Sequence, residues 1–133
     1  MRPEDIEIRE WLRKAANDLL TAKAGLELQP PVTDTAAFHC QQAVEKYLKA
    51  YLLFRSAPFE KTHDLEILVD RCARLDPDWE ALRDAIEPLT AYAVRFRYPG
   101  PSDPAVDAVL SALATAECVG KFLKARLPGH LFN

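Results

Sequence analysis

The sequence has few glycines, few cysteines and no long apolar run. Only 4 glycines occur in 133 residues, which argues against a turn-rich β protein, whereas alanine and leucine, both strong helix formers, are frequent. No apolar stretch approaches the roughly 18 residues that span a bilayer. The N-terminus carries arginine, glutamate and aspartate instead of the basic and apolar segments of a secretion signal. We therefore expect a helical, soluble, cytoplasmic protein that does not enter a membrane.

Cysteine and histidine are also scarce, with three of each. Cys40, Cys72 and Cys118 lie far apart at apolar-periodic positions, so we expect buried free thiols in a reducing compartment. His39 beside Cys40 is a weak metal pair, because adjacent helical residues point about 100° apart and no further ligands cluster near them. We expect no metal and no cofactor.

Strong enzymatic signatures are missing as well. The chain has no glycine-rich phosphate loop, no His-Glu-x-x-His, no Cys-x-x-Cys and no serine in a nucleophile elbow. Its net charge of -3 lacks the electrostatic footprint of a nucleic-acid binder, although a local basic patch stays open. Its length fits one domain over 1–133 with a core that needs no staples.

What is present is helical periodicity, and it is clearest over 38–54, which we interpret as the central helix. Gln42, Glu45, Lys46 and Lys49 fall on its polar side, where Glu45 can pair with Lys49 one turn later. A solvated face is the simplest interpretation of that side. The apolar positions recur at three- and four-residue steps and form one stripe, made of Ala36, Cys40, Ala43, Val44, Tyr47, Leu48, Tyr51 and Leu52.

Prolines and capping residues divide the rest of the chain. Pro3 suits the first position of a helix that Pro30-Pro31 ends, and Thr33 or Asp34 can cap the central helix. Thr62 can cap a short accessory helix over 62–75, and Asp76-Pro77 can start the next helix, which Pro88 should kink or break. Ser102 or Asp103 can cap the last helix, and Leu127-Pro128-Gly129 should end it before a frayed tail.

Amphipathic helices joined by short loops bury their apolar stripes only against one another. The last helix, for example, should bury a stripe that includes Val106, Val109 and Leu110. The pattern predicts an all-α, up-and-down bundle of four to five helices with a short accessory helix.

Two polar clusters carry possible chemistry. His63, in Thr62-His63-Asp64, either occupies the exposed first turn of a helix that Thr62 caps, which we favour, or contributes to a binding site. Arg95 and Arg97 beside Tyr98 either satisfy the last carbonyls of a helix or form an anion or RNA-phosphate site, and the residues favour neither. His130 lies in the tail and is expected to be uninvolved.

Three ordered segments together resemble the HEPN domain family of prokaryotes. These are Phe38-His-Cys-Gln-Gln-Ala-Val-Glu-Lys-Tyr-Leu-Lys-Ala50, Thr62-His-Asp-Leu65 and Arg95-Phe-Arg-Tyr-Pro99, and Trp11 with Asn17-Asp-Leu19 is similar too. The resemblance implies a helical bundle, commonly a homodimer, that is frequently encoded or fused with a minimal nucleotidyltransferase in toxin–antitoxin or defence modules.

Many members of that family are metal-independent ribonucleases whose motif is an arginine, four to six residues and then a histidine. The chain departs from this motif. Arg97 has Ser102, Asp103 and Pro104 at the positions where the histidine would stand. An aspartate there is ionised near neutral pH and repels phosphate, whereas the reaction needs a group that moves a proton.

We therefore expect a non-catalytic nucleotide- or RNA-binding or regulatory partner of a nucleotidyltransferase. The ligand-binding candidates are Arg95, Arg97, Tyr98, His63, His39, Gln42 and Lys46. Two alternatives stay open: a divergent ribonuclease toxin in which Arg97 acts with His63 or another histidine, and a purely structural helical dimer.

Overall fold

The computed structural model describes residues 2–94, 99 and 102–132, and all of its regular elements are helical. The α-helices are α1 (Pro3–Glu27), α2 (Thr33–Phe54), α3 (Leu65–Leu75), the short α4 (Arg83–Ile86) and α5 (Val106–Lys124). Three 3₁₀ segments, Pro77–Leu82, Glu87–Ala93 and Gly129–Phe132, complete the chain. The predicted all-α bundle is confirmed.

The helix α2 is the centre of the bundle, as predicted. Its largest contact is with α1, and it also packs against α3, α5 and the segment Glu87–Ala93. The connection to α1 is tight: the Val32 amide donates to the Gly25 carbonyl over 2.9 Å. A Cβ atom on Gly25 would lie 3.3 Å from the Val32 carbonyl oxygen, so glycine suits this close approach.

The end of α2 has two hydrogen bonds that close a helix C-terminus. The Ser56 amide donates to the Leu53 carbonyl, and the Ala57 amide donates to the Leu52 carbonyl over 2.9 Å. This pattern places the residue after the cap in the left-handed region, where glycine is usual. Here the position is held by Ser56, with a φ of 55°.

The helix α2 begins at Thr33, next to the predicted boundary, but neither Thr33 nor Asp34 caps it. The N-cap is Val32, which has no side-chain cap, and the Asp34 carboxylate accepts from the Thr35 amide instead.

The start of α3 differs from the prediction. Asp64 is the N-cap and accepts from the Glu66 amide, whereas Thr62 accepts from the Asp64 amide one step earlier. His63 therefore precedes the helix instead of lying in its first turn. Two local Asx- and Ser/Thr-type bonds in succession explain why the boundary falls later than the first capping residue suggests.

The segment after α3 begins at Asp76-Pro77, as predicted. Asp76 accepts from the Asp78 amide and from the Arg126 guanidinium, and Arg126 also reaches Asp78. The predicted disruption near Pro88 is confirmed, because only Arg83–Ile86 is α-helical and 3₁₀ segments flank it. Trp79 of the first 3₁₀ segment is buried in the core, and its ring centroid lies 4.5 Å from that of Phe122.

The last helix corrects three expectations. It begins at Val106 with Ala105 as the N-cap, so neither Ser102 nor Asp103 caps it. Val106 and Leu110 are exposed, while Val109 is buried. The tail is not frayed, because Gly129–Phe132 forms a 3₁₀ turn whose Leu131 is 2% exposed, and His130 Nε2 lies 3.4 Å from Asp5 of α1.

The cysteines also divide. Cys40 and Cys72 are buried free thiols, as predicted, but Cys118 is free and exposed, so its predicted burial is wrong. Burial raises the pKa of Cys40 to about 12 and raises that of Cys72 further. No described helix combines the length and apolar character needed to cross a membrane.

Candidate functional site

The polar side of α2 is largely buried, which overturns its interpretation as a solvated face. Gln41 is 0% exposed, Glu45 4% and Lys49 8%. These residues follow one another at single-turn intervals, and together with His63 they form what we call the polar strip. It is covered by α1 and by the segment before α3. Alternation of polar and apolar positions cannot distinguish water from a neighbouring helix, which is why the sequence missed this burial.

Glu45 is the centre of the polar strip. Its Oε2 accepts from Lys49 Nζ over 3.0 Å, and its Oε1 lies 2.8 Å from His63 Nδ1 and 3.3 Å from Gln41 Nε2. Gln41 Nε2 also donates to the His63 carbonyl over 3.1 Å. Gln42 donates to the Gln41 side-chain oxygen over 2.7 Å. The buried carboxylate is thus paired and hydrogen-bonded, as a buried charge must be.

His63 has one nitrogen fixed and the rest of its ring open. Its side chain is 61% exposed, although its Nδ1 contacts a carboxylate that is only 6% exposed. An ionised carboxylate can only accept, so Nδ1 must carry the proton that it donates. In the neutral ring Nε2 is then an acceptor, and in the protonated ring it is a second donor. The arrangement holds one imidazole edge toward solvent in a defined tautomer.

A second carboxylate–histidine pair lies beside the first. Asp18 of α1 is 7% exposed, its Oδ1 lies 2.8 Å from His39 Nδ1, and its Oδ2 accepts from Lys46 Nζ over 2.5 Å. Asp18 lies within the family-like segment Asn17-Asp-Leu19 but was not predicted to take part in a site. Its place in that segment was the available signal.

The charges at the two pairs determine what they can bind. Two buried carboxylates face two lysines, so the cluster is neutral while both histidines are neutral and becomes positive when either ring is protonated. Such a site can accept a hydroxyl or amino proton at neutral pH, and it can bind an anion once a histidine is charged.

The site residues predicted from the sequence fall into two groups. The structure brings His39 and Lys46 together at Asp18, and it links Gln42 to the polar strip that contains His63. Within the described ranges, no three histidine, cysteine or acidic residues form a group able to hold a metal ion. The remaining candidates, Arg95, Arg97 and Tyr98, fall outside the described residues.

Two surface grooves lie along α1, and one of them includes Lys46. The first, with a volume of about 330 Å³, is lined by Glu7, Glu10, Trp11, Lys14 and Lys46. The second, of about 510 Å³, has an apolar floor with arginines at its edge, and its lining includes Ile6, Arg9, Leu12, Arg13, Tyr47, Leu131 and Phe132. Burial raises the pKa of Tyr47 above its usual value.

Comparison with known proteins gives a family and a solved relative. The sequence model described as the HEPN domain matches residues 8–126. The crystal structure of TT1696 from Thermus thermophilus is similar with a TM-score of 0.74 and 29% identity, over 90% of this chain and 98% of that one. Among curated proteins, none shows significant similarity to the chain.

Proposed function

The chain belongs to the HEPN domain family, and from that premise we propose that it is a nucleotide- or RNA-binding regulatory module. Phosphate and ribose groups bind at the exposed ring of His63 and toward Lys46. The observation that carries the proposal is the His63 ring, which is 61% exposed while its Nδ1 is held by the buried Glu45. An ordinary surface histidine has no need of a desolvated carboxylate behind it.

A binding role is favoured over catalysis because of what the strip contains and what the sequence omits. Lys46 and Lys49 are each paired with a carboxylate, which fixes their positions, and the histidines add positive charge when they are protonated. The sequence has no histidine four to six residues after Arg97. Arg95, Arg97 and Tyr98 remain candidate phosphate and stacking residues of the same module.

The proposal is tested with a fluorescein-labelled single-stranded RNA of twelve nucleotides and fluorescence anisotropy. His63→Ala should weaken binding about tenfold, the value of one charge-assisted contact, and should lower the salt-dependence slope by about 1.

The matched control is Lys124→Ala, which removes an exposed cation from the far end of α5. Equal weakening by Lys124→Ala and His63→Ala would mean that binding is diffuse electrostatics. Absence of RNA binding, together with absence of nucleotide binding, would refute the module's proposed role.

A nucleotidyltransferase is the proposed partner, within a toxin–antitoxin or defence-type pair. The support is the family membership, and no residue of the chain identifies the contact surface. A pull-down with a nucleotidyltransferase encoded beside this chain should recover a stoichiometric complex. Failure to form a complex at micromolar concentrations would leave the nucleotide-binding role and remove this partnership.

We further propose a homodimer formed through α5. Val106 and Leu110, one turn apart, are 39% and 49% exposed, and Val94 nearby in sequence is 56% exposed. Light scattering after size exclusion should give twice the 15.0 kDa chain mass. Leu110→Lys should convert the dimer to a monomer that keeps its helical content, and a native monomer at all concentrations would exclude this interface.

Ribonuclease activity is the second candidate function, favoured by the same Glu45–His63 pair. A neutral Nε2 whose partner nitrogen is held by a carboxylate can take the proton of a ribose 2′-hydroxyl. Cleavage of RNA by the purified protein without metal, lost in His63→Ala and in Arg97→Ala, would replace the regulatory role by the catalytic one. Binding without cleavage would retain the regulatory role.

A further inference from the structure

The groove of about 330 Å³ beside the polar strip has a composition that points to one ligand class. Its α1 wall presents Glu7, Trp11 and Lys14, which share a face because they recur at helical intervals, and Lys46 of α2 closes the opposite side. Its volume falls in the range of small-ligand clefts, at the small end.

Trp11 supplies the flat apolar surface of this groove. Its ring is partly buried against the core. Lys49 Nζ lies 5.9 Å from the ring centroid, and because Lys49 is buried, that contact lies toward the interior. The remaining ring surface lines the groove. An aromatic surface that is partly exposed and held in place can stack on a nucleobase.

Two of the charged residues in the groove, Lys14 and Lys46, can contact a phosphate, and the carboxylate of Glu10 is paired with Arg13. Lys46 is fixed in position by Asp18, 2.5 Å from its Nζ, and Lys14 lies on the opposite wall. Lys14 and Arg13 also act on Glu10, since the hydrogen bond from Arg13 and then the charges of Arg13 and Lys14 lower its pKa. The carboxylate of Glu7 is exposed and can only accept hydrogen bonds.

These features together exclude simpler occupants. Inorganic phosphate needs no aromatic platform, and an apolar molecule needs no lysines. We propose that the groove holds one nucleobase, from single-stranded RNA or from a free nucleotide, stacked on Trp11 with its phosphate at Lys14 and Lys46. Glu7 accepts from the base edge and favours bases that carry an amino group over uracil.

The groove and His63 are connected through buried side chains. Lys49, which contacts Trp11, is bonded to Glu45, and Glu45 is bonded to His63, so a chain of contacts connects the two. A strand that lies along α2 would place one base on Trp11 and a neighbouring ribose or phosphate at His63. This continuity rests on the proposed function, whereas stacking on Trp11 does not.

The test is a titration of intrinsic tryptophan emission. Trp79 is 0% exposed and gives a constant background, so quenching reports on Trp11. The probes are the four nucleoside 5′-monophosphates, ribose 5-phosphate, inorganic phosphate and a single-stranded RNA 12-mer. We expect the nucleotides to quench, the two base-free phosphates to leave the emission unchanged, and cytidine monophosphate to bind more tightly than uridine monophosphate.

Substitutions separate stacking from folding. Trp11→Ala should weaken nucleotide binding, measured by calorimetry, by about 5- to 150-fold, the range for loss of one base–aromatic stack. Trp11→Phe keeps a stacking ring and should retain most of the affinity, which also controls for instability of the alanine variant. Glu7→Gln should remove the preference for cytidine over uridine monophosphate.

The possible outcomes distinguish the groove proposal from the proposed function. Nucleotide affinity unchanged in Trp11→Ala, or no quenching by any nucleotide, refutes the groove proposal. If RNA binding depends on His63 but not on Trp11, the proposed function stands and the groove does not. If mononucleotides depend on Trp11 while His63→Ala binds RNA normally, the groove stands and the route past His63 fails. Tighter binding of the 12-mer than of any mononucleotide identifies RNA as the source of the base.

Discussion

Removing the charge of Glu45 should destabilise the fold far more than removing a surface carboxylate. Lys49 is paired with Glu45 over 3.0 Å, and the two side chains are only 10% and 6% exposed. Truncating one partner of a buried pair leaves the other charge desolvated, at a cost of about 3–5 kcal/mol. In Glu45→Leu the Trp11 ring, 5.9 Å from Lys49 Nζ, offsets part of this cost. We therefore expect a loss of about 3 kcal/mol.

Urea denaturation followed by circular dichroism measures this loss. With a slope of about 2 kcal/mol per molar urea, the expected fall in the midpoint is about 1.5 M. Lys49→Met alone should cost a similar amount. The double variant Glu45→Leu with Lys49→Met should recover most of the stability, because an apolar pair of similar volume replaces the ion pair without unpaired charge.

An exposed pair on α1 is the control. Glu10 and Arg13 are about half exposed at 51% and 58%, so Glu10→Ala should leave the midpoint nearly unchanged. If Glu45→Leu also loses less than about 1 kcal/mol, then water reaches Lys49 and the polar strip is not desolvated. If the double variant is as unstable as the sum of the single variants, the two charges do not compensate each other and the pairing argument is wrong.

Three further outcomes test other parts of the structure. Ser56→Gly should raise the free energy of unfolding by about 1 kcal/mol, because Ser56 has a φ of 55° that glycine adopts without steric cost. Urea melts measure this change, and an unchanged or lower midpoint would contradict the prediction. In the native protein a chromogenic disulfide reagent should titrate Cys118 rapidly while Cys40, with a pKa of about 12, reacts only in denaturant; fast reaction of more than one thiol would show that the core opens. The Asp78 amide, and after it the Arg126 guanidinium, holds the pKa of Asp76 below its usual 3.8. This carboxylate therefore stabilises the fold above about pH 3.8, and the stabilisation disappears as the pH falls through the lowered pKa. Thermal melts of Asp76→Asn should differ from those of the native protein at pH 7 and converge with them in strong acid.

The helices could be predicted because their apolar positions and prolines are local signals. Pro3, Thr33 and Asp76-Pro77 fall where α1, α2 and the first 3₁₀ segment begin. Burial of the polar strip could not be predicted, because it depends on which helix covers α2. A residue such as Gln41 or Glu45 has the same sequence pattern whether its neighbour is water or α1. Cys118 failed for the complementary reason: its apolar spacing on α5 meets no covering element in the described part of the chain.

His63 shows more clearly what could not be predicted from the sequence. Its sequence neighbours, Thr62 and Asp64, both accept local backbone hydrogen bonds at the start of α3. The hydrogen bond that defines its chemistry joins it to Glu45, eighteen positions earlier in the sequence. No local sequence pattern predicts a contact at that separation. The candidate residues His39, Gln42 and Lys46 were chosen because they lie in the family-like segment of α2, whereas Asp18, which contacts His39 and Lys46, lies in a family-like segment of α1 and was not chosen as a site residue.

The placement of the polar strip on α2 has a consequence for how this protein can change over evolution. The same helix contributes Leu48 and Leu52 to the core and Glu45 and Lys49 to the strip, so two independent demands fall on 22 consecutive residues. New ligand preferences are therefore expected to arise by substitution on the exposed face of α1, at Glu7 and Lys14, where side chains can be exchanged without repacking the interior. Relatives with different ligand preferences should vary there and keep α2.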